Sequence, residues 1–227
     1  MTLFTKLLAP AGLALTAVAA LPVHAQVEGR IATVDISRTI IGTTAFQTAY
    51  EQVNQTYTQQ NDLRRTKAQE RQTLLQTFDT NGDKQVDDAE LAAKQSSPDF
   101  TKLQTLEQEI QALNNQIDGA RIYAIEQIIM QYGAALEEVT TRQQIKLVVD
   151  PGSLLFAAPE ADVTQQVTTA LNAKVPSIQV VPPAGWQPSR EGVQLFQEIQ
   201  QRLIAAQMAQ QQAQQQQQAN TAAPVGR

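Results

Sequence analysis

From Thr43 onward apolar residues recur at alternating spacings of four and three, through Phe46, Tyr50, Val53 and Tyr57. That rhythm is one seam of a coiled coil. The same seam continues through Gln60, Arg64 and Lys67 before Leu74, Leu75 and Phe78 restore apolar character. A polar seam cannot be a tight zipper, so this stretch is either a solvated, loosely paired helix or a flexible arm or cavity wall. A second helix restarts at Ser97-Pro98, where Ser97 suits a cap and Pro98 the first helical position. Its residues Leu103, Leu106, Ile110, Leu113 and Ile117 step by three and four. Near Gly119 the seam shifts phase to Ile122, Ile125, Ile129, Tyr132, Leu136 and Val139, with Ala124 and Ile128 beside it. The stripe widens towards this end, which therefore enters a compact body while the other end projects. At ~1.5 Å per residue, helices over 43–78 and 98–141 run about 54 and 66 Å, long enough to pair as one antiparallel hairpin.

The hairpin brings together two β-branched runs at its base. Arg30 to Ile36, after Gly29, reads as a strand; Ile145 to Asp150 reads as a second, Pro151-Gly152-Ser153 as a turn and Leu154 to Ala158 as a third. Three short strands covered by one helix end do not make a stable sheet, and the remedy is oligomerisation in which several chains pool their strands. The apolar positions of that pooled sheet are Ile31, Val34, Ile36, Leu147, Val149, Leu154 and Phe156. The fold class is thus mainly α with a small β body: 26–42 and 142–178 form the body, and 43–141 the projecting coiled-coil arm.

Asp162-Val163-Thr164 opens a short helix with Val163, Val167, Ala170 and Leu171 on one face. Pro176, Pro182, Pro183 and Pro188 make the next stretch an extended linker, with Trp186 packing it on the body. Val193, Phe196, Ile199 and Leu203 form a further short amphipathic helix. From Gln207 the chain turns Gln- and Ala-rich; helix continuation and coiled-coil association are open, but a segment with so little apolar area is expected to be disordered.

Composition sets the address and removes whole classes of chemistry. Lys6 followed by the apolar run Leu7–Leu21, Pro22 and the small-residue site Val23-His24-Ala25 reads as a secretory signal over 1–25, cleaved after Ala25, and is too short to span a bilayer. Cleavage removes Lys6 and the single His, leaving 16 basic against 22 acidic residues, a net charge of −6, with no His and no Cys. Soft-metal sites, thiol chemistry and His-based acid/base catalysis are excluded. No G-x-x-x-x-G-K loop is present, so ATP is not expected. The acidic balance, with no Lys/Arg block, argues against nucleic acid and gives no electrostatic reason to bind anionic lipid.

The opening strand Ile31-Ala32-Thr33-Val34-Asp35 with Ser37-Arg38, the return segment Leu147-Val148-Val149-Asp150, the apolar Leu154 to Ala157, and Asp162-Val163-Thr164 with Leu171-Asn172 together resemble the opening and closing motifs of the Skp/OmpH family. The resemblance covers about Ile31 to Leu171, with motifs only at its ends. It implies a homotrimer with a β-rich body and three helical arms surrounding an unfolded outer-membrane protein in the periplasm. Many weak, mobile contacts can hold such a client by avidity and keep its edge strands apart without ATP. Well-known members have basic arms; this chain is acidic, which sets it apart and makes direct lipid binding doubtful.

The interruption between the helices carries its own chemistry. Asp79 to Glu90 fits a twelve-residue EF-hand loop: Asp79, Asn81 and Asp83 offer side-chain oxygens, Gln85 a backbone carbonyl, Asp87 a direct or water-bridged contact and Glu90 a bidentate carboxylate to Ca2+. Lys84 stands where such loops prefer Gly for a positive φ, at a cost on the order of 1 kcal/mol. The plainer alternative is a capping box, with Asp87 as the cap and Glu90 reaching back. Two functional classes follow. One is a non-enzymatic holdase chaperone whose tip is tuned by calcium; the other is a structural coiled-coil envelope protein with calcium as a staple.

Overall fold

The computed structural model describes residues 29–222, with side-chain surroundings defined to residue 216; the signal sequence expected over 1–25 lies outside the described residues. Strand β1 (Arg30–Thr33) is shorter than its β-branched run suggests. Asp35 ends it by accepting the Arg38 N–H at 3.0 Å, which caps helix α1 (Ile36–Ile41). Ile36 is therefore the first residue of a helix, not the end of a strand. A local cap outcompetes β-branched propensity when the strand has no further partner to extend against.

The arm runs out and back as helices, but each of the two helices expected over 43–78 and 98–141 is interrupted once, and a short extra helix precedes the second. Helix α2 (Thr44–Thr56), capped by Thr43, gives way at Tyr57 to α3 (Thr58–Gln76). At the join the Thr58 hydroxyl donates to the carbonyls of Asn54 and Gln55 at 3.0 and 2.8 Å, the kind of side-chain insertion that bends a helix. The loop leads into α4 (Asp88–Lys94), and Ser97-Pro98 then start α5 (Pro98–Ile129) as cap and first residue, the Ser97 hydroxyl accepting from the Phe100 N–H. After a break at Met130-Gln131, α6 (Tyr132–Arg142) returns to the body. A tight turn with Gln144 at φ 55° then reverses the chain into β2 (Ile145–Val149).

Because of that reversal β2 lies parallel to β1, with Ile31 opposite Leu147 and Ala32 opposite Val148. The sheet has two strands among the described residues. The third strand expected over Leu154–Ala158 is absent. Two 3-10 turns, Pro151–Ser153 and Pro159–Ala161, flank it, and within one chain no free strand edge lies alongside to pair with its backbone. β1 instead receives the Val163 N–H on its Thr33 carbonyl at 3.0 Å, just ahead of α7 (Thr164–Lys174), whose Val167, Ala170 and Leu171 are buried as predicted.

The body is larger than the sequence suggests. Helix α8 (Arg190–Ala222) lays Leu195, Phe196 and Ile199 into the same core as Ile40, Ile125, Ile128 and Leu171. It then continues as helix through the Gln-rich segment to Ala222, where disorder was expected; Ala and Gln are good helix formers, and the packed first turns supply the nucleus. Two smaller clusters lie outside the body. Ala49, Val53, Ile117, Ala120, Ala124 and Val180 pack at the arm root, and Leu74, Phe78, Leu103 and Leu106 at its tip. Among the described residues no helix is long and apolar enough to cross a membrane.

Carboxylates pin the body as well. Burial pushes the Asp162 carboxyl up, but the bonds from Thr164 and the Arg38 guanidinium outweigh it and hold it below its usual range. Glu138 is lowered by its bond and ion pair with Lys174, with Arg142 adding to it. Groups with depressed native values stabilise fully above the ordinary carboxylate range, and that stability is lost as pH falls through the native values. The melting temperature should therefore drop on acidification, and drop less in an Asp162→Asn, Glu138→Gln double variant. An equally deep drop in that variant would place the effect elsewhere.

Candidate functional site

Two regions offer surfaces that the fold does not use internally. The first is the outward side of the small sheet. Strand alternation turns Ala32 and Val148 inward, while the paired Ile31 and Leu147 face out and are about half exposed (51% and 46%). Val149 shares their row and is partly covered. Beyond the turn, Leu154 is partly exposed, and Leu155 and Phe156 stand almost wholly in solvent. Val34 does not belong to this set. It is 3% exposed and packed in the core of its own chain, because α1 starts directly after it and folds the backbone inward. Ile36, opening α1, is partly exposed. Leu155 is a residue that the strand pattern concealed: alternation would put 154 and 156 on one face and 155 on the other, but without a strand all three are left outside. The paired Ile31 and Leu147 and the run Leu154 to Phe156 are thus two stretches of large apolar side chains that one chain leaves exposed, and contiguous apolar surface of this kind marks a site of contact.

The second region is the arm. Its middle is held by polar rungs, Arg64 to Asn114 at 3.2 Å and Lys67 to Glu109 at 2.5 Å, as the polar seam predicts. Surface ion pairs of this kind contribute little, so between root and tip α3 and α5 are joined through polar rungs and the buried Leu113 rather than a continuous apolar seam.

At the tip, residues 79–90 form an Asx-turned loop. The Asp79 carboxylate accepts the N–H groups of Gly82 and Lys84 at 2.6 and 2.8 Å, Asn81 accepts that of Asp83, and Asp83 that of Gln85. Lys84 does take the left-handed backbone expected of the sixth loop position, at φ 67°. Glu90, however, is turned under the loop. One oxygen accepts from the Thr80 N–H and hydroxyl at 2.7 and 2.8 Å and from the Asn81 N–H, and the other accepts from the Asp87 N–H; Asp87 in turn caps Glu90. The capping box is thus formed, and the Thr80 bonds hold the Glu90 carboxyl below its usual range. Among the described residues no three acidic side chains converge as a metal cage. The oxygens are of the hard type that suits Ca2+, and Glu90 would have to leave its capping role to complete the set.

Comparison with known proteins bears on both regions. A family model described as outer membrane protein (OmpH-like) matches residues 30–171, from the start of β1 to α7. The chain belongs to the OmpH-like family. Among solved structures, the chain is similar to a candidate OmpH-like outer membrane chaperone from Caulobacter crescentus CB15, at 15% identity and a TM-score of 0.37, over 81% of this chain and 99% of that one. No curated protein sequence matches. The OmpH-like match takes in the outward sheet face, the whole arm and the loop; residues 172–222, including α8, lie beyond it.

Proposed function

We propose that this OmpH-like protein is an ATP-independent periplasmic holdase that binds unfolded outer-membrane proteins and keeps them from aggregating. The observation that carries this reading is the pairing of a long arm with a polar middle and a body that leaves Ile31, Leu147, Leu155 and Phe156 exposed in one chain. Three copies meeting through those faces would cover them and set three arms around a common space. The polar middle of each arm suits many weak contacts with an extended client, and several such contacts add to useful retention by avidity. Nothing in this scheme asks for bond making, so no catalytic role is assigned. The decisive experiment dilutes a denatured outer-membrane β-barrel into buffer with the mature protein and no nucleotide, and follows light scattering. Aggregation suppressed at about one client per three chains supports the reading; unchanged aggregation moves the protein to the structural-spacer class.

Calcium is proposed as a modulator at the tip. The left-handed Lys84 and the carboxylate of Asp79 on its N–H support it. Lys84→Gly relieves the left-handed cost of on the order of 1 kcal/mol, so it should tighten Ca2+ by severalfold in titration calorimetry. Heat of binding absent from both forms would leave the loop as a capping box alone.

A further inference from the structure

Two neighbouring side chains on α5 hold both ends of the segment that follows α7. Gln127 grips Gln179 in both directions, its Nε2 donating to the Gln179 carbonyl at 2.7 Å and its Oε1 accepting the Gln179 N–H at 3.0 Å. Glu126 takes the other end. Its carboxylate accepts from the indole Nε1 of Trp186 at 3.2 Å and from the Ser189 N–H at 2.7 Å, directly ahead of the α8 N-terminus. A carboxylate there also satisfies the helix dipole. Gly192 permits the close approach, since a Cβ at that position would lie 2.5 Å from a Glu126 oxygen.

Between these two grips the segment crosses the arm root. Val180 is buried against the root cluster of Ala49, Val53 and Ile117, and the Trp186 ring meets Tyr123 edge-on at 5.3 Å. An indole carbon lies 3.8 Å from where a Cβ of Gly119 would stand. Tyr57, at the bend between α2 and α3, lines one groove of about 820 Å³ together with Gly119, Ile122, Pro182 and Trp186. The bend in the outgoing helix, the side-chain-free Gly119 in the returning helix and the crossing segment thus meet at one level of the arm.

We infer that residues 175–189 form a clasp, latched by Glu126 and Gln127, that restrains bending of the arm at Tyr57 and Gly119. With the clasp shut, Val180 packs into the root cluster and Trp186 stands against Gly119, so the root flexes only by displacing them. With it open, α3 and the tip half of α5 swing as a unit on the Thr58-distorted turn. The clasp segment lies beyond the OmpH-like match while its latch residues Glu126 and Gln127 lie within it, and the device acts whatever the arm holds.

The test uses the full mature chain. Trp186 is the only Trp, so its emission reports the clasp directly, while amide hydrogen exchange reports the arm. In a Glu126→Ala, Gln127→Ala double variant, Trp186 emission should move to the red. Exchange at 56–58 and 116–119 should quicken roughly tenfold or more, as expected for losing charge-assisted and paired amide bonds together, with Ala32 and Val148 in the sheet unchanged. Gly192→Ala, which displaces Glu126 without removing it, should move both readouts the same way by less. A red shift with unaltered exchange at the bend would overturn the proposal, as would exchange that rises equally throughout the body or no change in either variant.

Discussion

Replacing Ile199 with Ala is expected to cost about 3 to 4 kcal/mol, because a fully buried side chain in a shared core leaves a cavity that its neighbours only partly fill. That is a large share of the stability of an ordinary domain. Ile204→Ala, five residues on and half exposed, should change it by less than ~0.5 kcal/mol. Urea titration followed by circular dichroism separates the two. The difference matters because Ile199 lies outside the OmpH-like match. If both variants unfold alike, α8 is an appendage and the core belongs to residues 30–171 alone.

The second large effect concerns the outward face. Ile31→Ser, Leu147→Ser and Phe156→Ser together should leave helicity intact, since none of the three supports the core of its own chain. In light scattering the parent should have the mass of three chains and the triple variant that of one, and the variant should lose most of the aggregation suppression proposed for the parent. Val34→Ser should behave differently, unfolding the body at a cost on the order of 3 kcal/mol by exchanging a buried apolar side chain for a hydroxyl. A triple variant that keeps the parent's mass would show that the subunits meet elsewhere. A parent that is itself a single chain would remove the pooled body altogether.

Long-period features were legible in the sequence. Both arm helices, the Ser97-Pro98 start, the polar middle at Arg64 and Lys67 and the short helix after Asp162 follow from spacing and caps, which are local properties. What escaped was decided by partners distant in the chain. Leu154-Leu155-Phe156 has strand composition, yet a strand needs a neighbouring backbone and one chain offers none there. Phe196 and Ile199 read as an isolated short helix because nothing in their own pattern says that Ile125 and Ile128, some seventy residues earlier, await them. The loop is the intermediate case. Its oxygens, turns and even the left-handed Lys84 could be anticipated, but whether Glu90 serves the helix or a cation depends on which bonds it makes, and its spacing suits both. Glu126 and Gln127 gave no signal at all, being ordinary polar residues on the flank of a heptad.

The parallel pairing of β1 with β2 has a consequence in time. Arg30 meets Ile145, and every residue of the arm is made between them. The tip hairpin, by contrast, joins Leu74 to Leu106 through a short intervening stretch. Local contacts close quickly and distant ones slowly, so the tip can zip while β1 still waits for a strand more than a hundred residues behind it. During that interval the chain carries an unpaired strand of its own, with Ile31 and Ala32 uncovered, the same kind of hazard posed by the clients proposed for it. Whatever accelerates arrival of Ile145 to Val149, or shields β1 until then, sets the yield of native protein.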